Sequence, residues 1–393
     1  MLRIKMFAAC DGDAFLVNHE TSRHQTNILV DAGYAATFND FISGEVAEAK
    51  VLDLVISTHV DADHISGLLQ LLKQNQNAPE DKTVDIRRFW HNSLRCLSLN
   101  TVPDELSAGD RELLYEIRGR GYQASGETTG SEISARQGSS LASLLSKGDI
   151  DWNVESGSKP IEASQVTDLN SEVKITVIGP TKERLQKLRD WWLKEIRRLG
   201  VSSKPTKDRL FEDAFEFICS YDLQVKNPEE ISGSKLDSSS LEEVYVPDNS
   251  ATNGSSIAFI LQTPNSNVLF LGDSIAEDIV EWFESNEGID SKTVFDAIKI
   301  SHHGSLRNTS PRLLELIDAP IFFISTNGEK HGHPNLEVLK AIVDRHAEFE
   351  RQLLFNYSTA SSKYMEVYTS ESKTRFQVRE SVTDFVMVGQ SNA

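Results

Sequence analysis

Six consecutive residues, 59–64, carry the densest set of chemically active side chains in the sequence. They read His-Val-Asp-Ala-Asp-His, so His59, Asp61, Asp63 and His64 are all potential metal ligands. An apolar run precedes them and a helical pattern follows, and a tight strand-to-helix turn lets alternate side chains point into one pocket. Mixed imidazole and carboxylate ligands favour Zn, Mn or Fe over Ca or Mg. We therefore predict a transition-metal site, with a helix-capping turn as the alternative.

A second group, Ser-His-His-Gly-Ser at 301–305, also follows a predicted strand. Because adjacent histidines do not easily face one pocket, we expect one of His302 and His303 to be a ligand and the other to bind substrate or pack. For an isolated histidine pair, an ordinary surface turn is an equally good interpretation.

Further candidates lie at other strand ends. Asp273 ends an apolar run, where a carboxylate is costly unless it meets a cation, so we predict that it bridges metals. Asp31 ends a similar run and either orients a ligand histidine or caps a helix. His331 and His333 lie in a loop predicted at the same sheet edge and could reach a phosphate, although alone this pattern is more typical of helix capping.

Two parts of the chain have similar patterns. Each contains a strand ending in Asp, a helix, and a strand ending in Ser and His. Asp31 precedes His59 by 28 positions, and Asp273 precedes His302 by 29. This spacing suggests a duplication in which two matching sheets converge on one site, which favours a ligand role at 302–303. The alternation of strands and helices predicts an α/β fold.

The 393 residues, 39% of them hydrophobic, suffice for a large core. We predict one domain over 1–393 with an insertion or subdomain at 95–252, where regular patterns weaken around a Gly/Ser/Thr-rich stretch at 121–140. The polar, acidic stretch 227–253 is expected to be partly flexible. Three scattered cysteines, no apolar run of about 18 residues and no signal-like N-terminus predict a cytoplasmic protein without membrane contact.

The net charge of −19 disfavours general binding of nucleic acid, so a polyanion site would have to be local. A helix predicted over 181–199 offers such a surface. Its apolar stripe lies opposite Arg184, Lys187, Lys194 and Arg198, which are possible nucleic-acid contacts. A solvated surface is the commoner explanation of a basic helix face.

Several motifs together resemble the metallo-β-lactamase superfamily, and within it the hydrolase domain of the competence DNA-uptake (ComEC-like) family. The matching segments cover 11–17, 28–33, 57–67, 253–256, 270–273, 299–305 and 332–334. The resemblance implies an αββα sandwich with a large insertion and a two-metal site at one edge. The channel and the second domain of the uptake proteins have no counterpart here, so a role in DNA transport does not carry over.

The resemblance also implies roles for individual residues. His59 and Asp61 would bind one metal, Asp63, His64 and His302 the other, and Asp273 would bridge them. Asp63 would orient an activated hydroxide shared by the two metals, while His303 or His333 would hold a phosphate or protonate the leaving oxygen. The remaining candidates for supporting the ligands or contacting substrate are Asp31, Asn253, Ser305 and His331.

Two departures from the superfamily pattern bear on the metal. Asp61 stands where most members have histidine, which shifts the preference from Zn toward Mn. Only Asn253 stands near the place of a further histidine ligand, which implies a weaker first metal.

Three functions are compatible with these observations. The first is a metal-dependent phosphodiesterase that cleaves nucleic acid, in particular single-stranded DNA. The second is a metallo-hydrolase of a small-molecule ester or nucleotide messenger, which the acidic net charge favours. The third is a regulatory or recognition subunit that binds a protein partner through the insertion.

Overall fold

The computed structural model describes residues 1–77, 82–97, 106–120, 140–154, 157–206, 208–221, 240–289, 291–330 and 332–389. Most of the Gly/Ser/Thr-rich stretch, as well as His331, lies outside these residues. In the described part of the chain, no helix has both the length and the apolar character needed to span a membrane.

Nineteen strands are defined among the described residues. In chain order they are β1 (Leu2–Met6), β2 (Ala14–Glu20), β3 (Gln25–Ala32), β4 (Val51–Leu52), β5 (Leu54–Ile56), β6 (Asp85–Ile86), β7 (Arg88–Trp90), β8 (Asp151–Trp152), β9 (Val166–Asp168), β10 (Lys174–Gly179), β11 (Ala258–Thr263), β12 (Ser266–Phe270), β13 (Thr293–Val294), β14 (Ala297–Lys299), β15 (Ile317–Asp318), β16 (Ile321–Ile324), β17 (Arg351–Phe355), β18 (Phe376–Arg379) and β19 (Phe385–Val388).

The α-helices of the described residues surround these strands. They are α1 (Ala35–Thr37), α2 (Ser43–Ala49), α3 (Ala62–Asn77), α4 (Ala108–Arg120), α5 (Leu141–Leu145), α6 (Lys182–Arg198), α7 (Arg209–Tyr221), α8 (Leu241–Val244), α9 (Ala276–Asn286), α10 (Pro311–Leu316), α11 (Leu336–Val343) and α12 (Ala360–Val367). A π-helical turn, Phe38–Ile42, joins α1 to α2, and 3₁₀ turns cover Leu94–Cys96, Asn253–Ser255 and Ser301–Gly304.

Two large mixed sheets pack face to face. The first has the order β19-β1-β2-β3-β5-β7-β8 and the second β18-β17-β16-β14-β12-β11-β10-β9. Each sheet has an antiparallel part followed by a parallel part, and the change falls at β3–β5 in one and β12–β14 in the other. Parallel strands place their carboxyl ends at one edge, where side chains from both sheets can meet.

Four apolar clusters account for this layering. One lies between the sheets and joins residues such as Phe15 and Val30 to Phe259 and Phe270. Two others pack helices onto the outer faces, around α1–α3 on the first sheet and α9–α11 on the second. The molecule is therefore an αββα sandwich, as the sequence predicted. A fourth cluster joins α4, α6 and α7 and includes Val60 of the 59–64 turn, so these helices pack directly onto that turn.

Parts of the range 95–252 belong to the sandwich itself. Strand β8 extends the first sheet, while β9 and β10 extend the second, and β10 pairs with β11. Helices α4, α6 and α7 of this range form the fourth cluster, whereas α5 packs in the cluster on the first sheet and α8 in the cluster on the second. Residues 240–253, part of the stretch expected to be flexible, instead form α8 and a turn in which Asp248, Thr252 and Asn253 are buried. The polar side chains of Asp248 and Asn253 are hydrogen-bonded to each other inside the fold, and 227–239 lie outside the described residues.

Candidate metal centre

The turn at 59–64 connects the end of β5 to α3 and holds its side chains rigidly. The backbone N–H groups of His64 and Ile65 both donate to the Asp61 carbonyl at 3.0 Å, which begins the helix. On the other side, Gly12 packs so closely that a Cβ there would lie 1.9 Å from the Asp63 carbonyl oxygen. The β1–β2 turn therefore presses against the 59–64 turn and leaves it little freedom.

Four histidine Nε2 atoms surround one oxygen of Asp273. Asp273 Oδ2 lies 3.4 Å from Nε2 of His64 and 3.8 Å from Nε2 of His59, His302 and His303. His59 and His64 follow β5 of the first sheet. Asp273 follows β12 and the two later histidines follow β14, both in the second sheet, so both sheets contribute. The carboxylate occupies a central position, as a bridging ligand would.

Asp61 and Asp63 lie beside this cluster. Asp61 Oδ2 is 3.1 Å from His59 Nε2, and Asp63 Oδ2 is 3.7 Å from His64 Nε2. Since the same His64 atom is 3.4 Å from Asp273, the carboxylates of Asp63 and Asp273 are closer than about 8 Å, which a shared site requires. These seven side chains are brought together from positions 59 to 303.

His302 and His303 both face Asp273, and the expectation that only one of them could do so is wrong. Both residues adopt left-handed backbone conformations, with φ of 44° and 56°. This conformation is uncommon for non-glycine residues and turns successive side chains toward the same side. The sequence interpretation assumed ordinary backbone geometry.

His303, rather than His302, is grouped with Asp63 and His64. Ligand atoms of these three residues lie within 4.8 Å of one another, and His303 Nε2 is 3.8 Å from Asp63 Oδ2. His302 forms a group with Asp273 and His303 instead. The distribution of the two adjacent histidines therefore differs from the one that the resemblance implied.

Hydrogen bonds to the Nδ1 atoms, on the side of each ring away from Asp273, orient three of the histidines. Asp31 Oδ2 lies 2.9 Å from His64 Nδ1, and the Asp31 carboxylate also accepts from the backbone N–H and hydroxyl of Thr58. The Thr58 hydroxyl is 3.1 Å from His59 Nδ1. Asp31 thus makes the contact expected of a residue that orients a ligand histidine. His303 Nδ1 lies 2.7 Å from the Ser325 carbonyl.

A buried ion pair lies under the cluster, and sequence reasoning missed its role. The Lys299 ammonium contacts the Asp13 carboxylate, donates to the Gly272 carbonyl at 2.9 Å and is 3.7 Å from Asp273 Oδ1. Both side chains are almost fully buried. Asp13 lies in a matching motif, and Lys299 lies in the 299–305 motif, but neither motif indicated this pair across the two sheets.

The electrostatics of the cluster attract cations. Burial opposes charging of His64, yet Asp273, Asp63 and Asp31 raise its pKa well above the ordinary value. Burial likewise disfavours the Asp273 anion, but the histidines around it hold its pKa well below the usual range. The pKa of Asp63 is raised, mainly by burial. The carboxylates that raise the pKa of His64 would likewise attract a divalent cation.

The polar atoms at the centre fit divalent metals. His59 Nε2, His64 Nε2, both carboxylate oxygens of Asp61 and Asp273 Oδ1 are buried and make no hydrogen bond among the described residues. Such orphaned atoms are costly in a protein interior unless a ligand satisfies them. Nitrogen and oxygen donors in this mixture suit Zn or Mn.

Other predicted site residues lie near this centre or outside the described residues. The His333 ring packs edge-on against His302, with ring centroids 5.0 Å apart. The Ser305 hydroxyl accepts from the Arg307 N–H, and Asn253 lies 3.4 Å from His302 Nδ1. His331 is not described.

A polar group beside Asp63 was also missed. The Tyr34 hydroxyl donates to Asp11 at 3.1 Å, and the Lys330 ammonium reaches Tyr34 at 3.0 Å and Asp11 at 2.9 Å. This group joins the β1–β2 turn to the loop that follows β16. It supplies a partly exposed cation near the metal centre.

The basic helix forms as predicted, but Arg184 is held in an ion pair and is not available as a nucleic-acid contact. Helix α6 has Thr181 as N-cap and buries Leu185, Leu188, Trp192 and Ile196. The Arg184 guanidinium makes two hydrogen bonds, of 2.6 and 2.8 Å, to Asp278 of α9 and so is not free for nucleic acid. Lys187, Lys194 and Arg198 are exposed on the outer face.

An αββα sandwich with a histidine and aspartate cluster at its strand ends is an arrangement typical of metal-dependent hydrolases. A family model for the metallo-β-lactamase superfamily matches residues 8–202, so this part of the chain is similar to that superfamily. Its members are mostly metal-dependent hydrolases that bind divalent metals, often zinc. No curated protein matches the chain.

Proposed function

We propose that the protein is a metal-dependent phosphodiesterase that acts on nucleic acid, in particular single-stranded DNA. The observation that carries this proposal is the convergence of four histidine Nε2 atoms on Asp273, with Asp61 and Asp63 beside them. A carboxylate at the centre of such a set suits two cations, the arrangement used by many phosphodiester-cleaving enzymes. The resemblance to the ComEC-like motifs supports DNA as the substrate.

We assign separate roles in this reaction to residues of the chain. His59, Asp61 and Asp273 would hold one divalent cation, and Asp63, His64 and His303 would hold the other. His302 would add a further ligand beside Asp273. When bound, the cations supply an activated water and neutralise charge on the phosphate. Asp63, the most exposed of these carboxylates at 17%, would orient the water. His333 would protonate the leaving oxygen, and Lys330 would bind a substrate phosphate at the rim.

A small-molecule ester or nucleotide messenger is the alternative substrate. The net charge of −19 favours it, because long polyanions are repelled by the molecule as a whole. A protein partner bound through 95–252 stays a prediction. Mn or Zn remains the proposed metal, and the carboxylate-rich ligand set favours Mn.

Metal-free protein reloaded separately with Mn and Zn tests the proposal. Labelled single-stranded and double-stranded oligonucleotides, a cyclic dinucleotide and a chromogenic phosphodiester would be assayed in parallel. We expect cleavage of the single strand, faster with Mn, and none without metal. Hydrolysis restricted to the small substrates would replace nucleic acid by the alternative, and failure on every phosphodiester would refute the proposal.

A further inference from the structure

Three polar side chains from two separate loops lie behind His302. Asp248 and Asn253 belong to the turn between α8 and β11, and Asn308 belongs to the loop before α10. All three are buried, and Asn308 is completely inaccessible. Burying amide and carboxylate groups is costly unless each finds partners, so their arrangement calls for an explanation.

Asp248 holds both asparagines. Its Oδ2 atom accepts from Asn253 Nδ2 at 2.7 Å and from Asn308 Nδ2 at 3.0 Å, while its Oδ1 atom accepts from the Ser250 N–H at 2.9 Å. A carboxylate can only accept when it is ionised, so both amide NH₂ groups must point toward it. Asp248 therefore determines which way each amide is oriented.

The orientation of Asn308 in turn determines the state of His302. Asn308 Nδ2 also lies 3.2 Å from the Asp273 carbonyl and 3.3 Å from the Ser274 carbonyl, so only its Oδ1 is left to face His302 Nδ1, at 2.8 Å. The Asn253 NH₂ group also lies near His302 Nδ1, at 3.4 Å, but it donates to Asp248 at 2.7 Å, so the shorter contact with Asn308 Oδ1 dominates. An amide oxygen accepts and cannot donate, so the proton of a neutral His302 lies on Nδ1. Its Nε2 lone pair then faces Asp273, 3.8 Å away.

We propose that Asp248 and Asn308 are positioning residues of the metal centre. They fix the tautomer and the ring orientation of His302, so that its Nε2 atom is available as a metal ligand. This inference rests on the metal-binding part of the proposed function and not on the substrate. Residues behind metal ligands commonly set metal affinity in this way.

Metal titration of the metal-free protein tests the inference directly. Asn308→Leu removes the hydrogen bonds at nearly constant volume, and Asp248→Asn alters the carboxylate alone. We expect each to weaken Mn binding at one site by about 10–100-fold in calorimetry. Asn27→Leu is the matched control, because Asn27 is also buried and hydrogen-bonded through its amide but lies on β3. It should lower the melting temperature without changing Mn affinity.

A double-mutant cycle distinguishes positioning from general distortion. In a His302→Ala background, Asn308→Leu and Asp248→Asn should have no further effect on Mn affinity, because the residue through which they act is gone. Additive losses, or wild-type affinity in both single variants, would overturn the inference. If Asn308→Leu does not fold, the Mn affinities of Asp248→Asn and of its double mutant with His302→Ala test the inference instead. Wild-type protein that binds no Mn would refute both proposals, whereas Mn binding without hydrolysis would refute only the proposed function.

Discussion

Asp63 differs from the other carboxylates of the centre in its access to solvent. Its side chain is 17% exposed, compared with 3% for Asp273 and 1% for Asp61. We predict that Asp63→Ala lowers hydrolysis at least about 10²-fold and leaves the fold intact, because it removes a ligand but no buried apolar area. Metal-loaded kinetics and thermal melting measure the two effects.

The exposed Asp40→Ala serves as the control and should behave like the wild type. Unfolding of Asp63→Ala would indicate that the metal is structural, and full activity would indicate a catalytic site elsewhere in the chain.

The buried Lys299–Asp13 pair should matter for stability as well as for the site. Lys299→Met removes the ammonium that contacts Asp13 and leaves this buried carboxylate only the His303 imidazole, 3.4 Å away. We therefore expect a loss of about 3–5 kcal/mol in the free energy of unfolding. Adding Asp13→Leu should recover part of that loss, because no buried charge then lacks its partner. Urea denaturation measures both changes, and equal stability of Lys299→Met and the wild type would contradict the prediction.

The sequence revealed the site residues that stand together in a motif. It did not reveal those that join the site only through contacts made in the folded chain. His59, Asp61, Asp63 and His64 are consecutive or alternate, so a single motif reveals them. Asp248 gave no such signal, because it lies in a polar stretch and meets Asn308 only in the folded chain. The paired orientation of two adjacent histidines depends on φ values that residue types do not reveal.

At the level of elements, the apolar runs predicted where strands occur, but not where one run divides into two strands. The run at 51–57 forms β4 and β5, which belong to different sheets. A continuous apolar pattern is the same whether a strand stays in one sheet or moves to another. The sequence pattern did not indicate helix α7, because its acidic residues are typical of a solvated surface and hide its packing role.

Helix α7 instead buries three acids, Glu212, Asp213 and Glu216. Glu216 accepts from the backbone N–H groups of Leu141 and Ala142 at the start of α5. Glu212 accepts from Arg95 through Oε1, while its Oε2 makes no hydrogen bond among the described residues. The acidic face of α7 is therefore a packing surface inside the fourth cluster.

Burial, opposed in part by Arg95, raises the pKa of Glu212 from 4.5 to about 7. Between these two pH values the folded protein binds more protons than the unfolded chain, so this group lowers the free energy of unfolding as pH rises. We predict that Glu212→Gln matches the wild type near pH 4 and is more stable at pH 8, by about 1–3 kcal/mol.

Urea denaturation of both proteins across this pH range checks the prediction. Glu242→Gln, at an exposed position, is the control and should leave the pH dependence unchanged. A stability difference that does not change with pH would show that Glu212 does not titrate in this range.

Across the whole molecule, the duplicated pattern predicted the most important feature, two sheets converging at one edge. The parallel pairs β3–β5 and β12–β14 deliver Asp31, His59, Asp273 and His302 to the same place. The packing of α4, α6 and α7 on Val60 was not predictable in the same way, because it depends on long-range apolar contacts. Composition gave the net charge but not the position of the basic surface.

That basic surface can be tested against the net charge of −19, which repels nucleic acid. If the outer face of α6 binds a phosphate backbone, Lys187, Lys194 and Arg198 are the contacts, since all three are exposed. We predict that changing them together to Gln weakens binding of a single-stranded oligonucleotide and reduces the slope of log K against log salt by about 2. Fluorescence anisotropy across salt concentrations measures both quantities.

Arg184→Gln provides the internal control for this charge experiment. Its guanidinium is engaged by Asp278, so the substitution should reduce stability and leave the salt slope unchanged. This contrast separates loss of a phosphate contact from loss of a structural ion pair on the same helix. An unchanged affinity and slope in the triple variant would make α6 an ordinary solvated surface, and would favour a small-molecule substrate, for which no extended positive surface is needed.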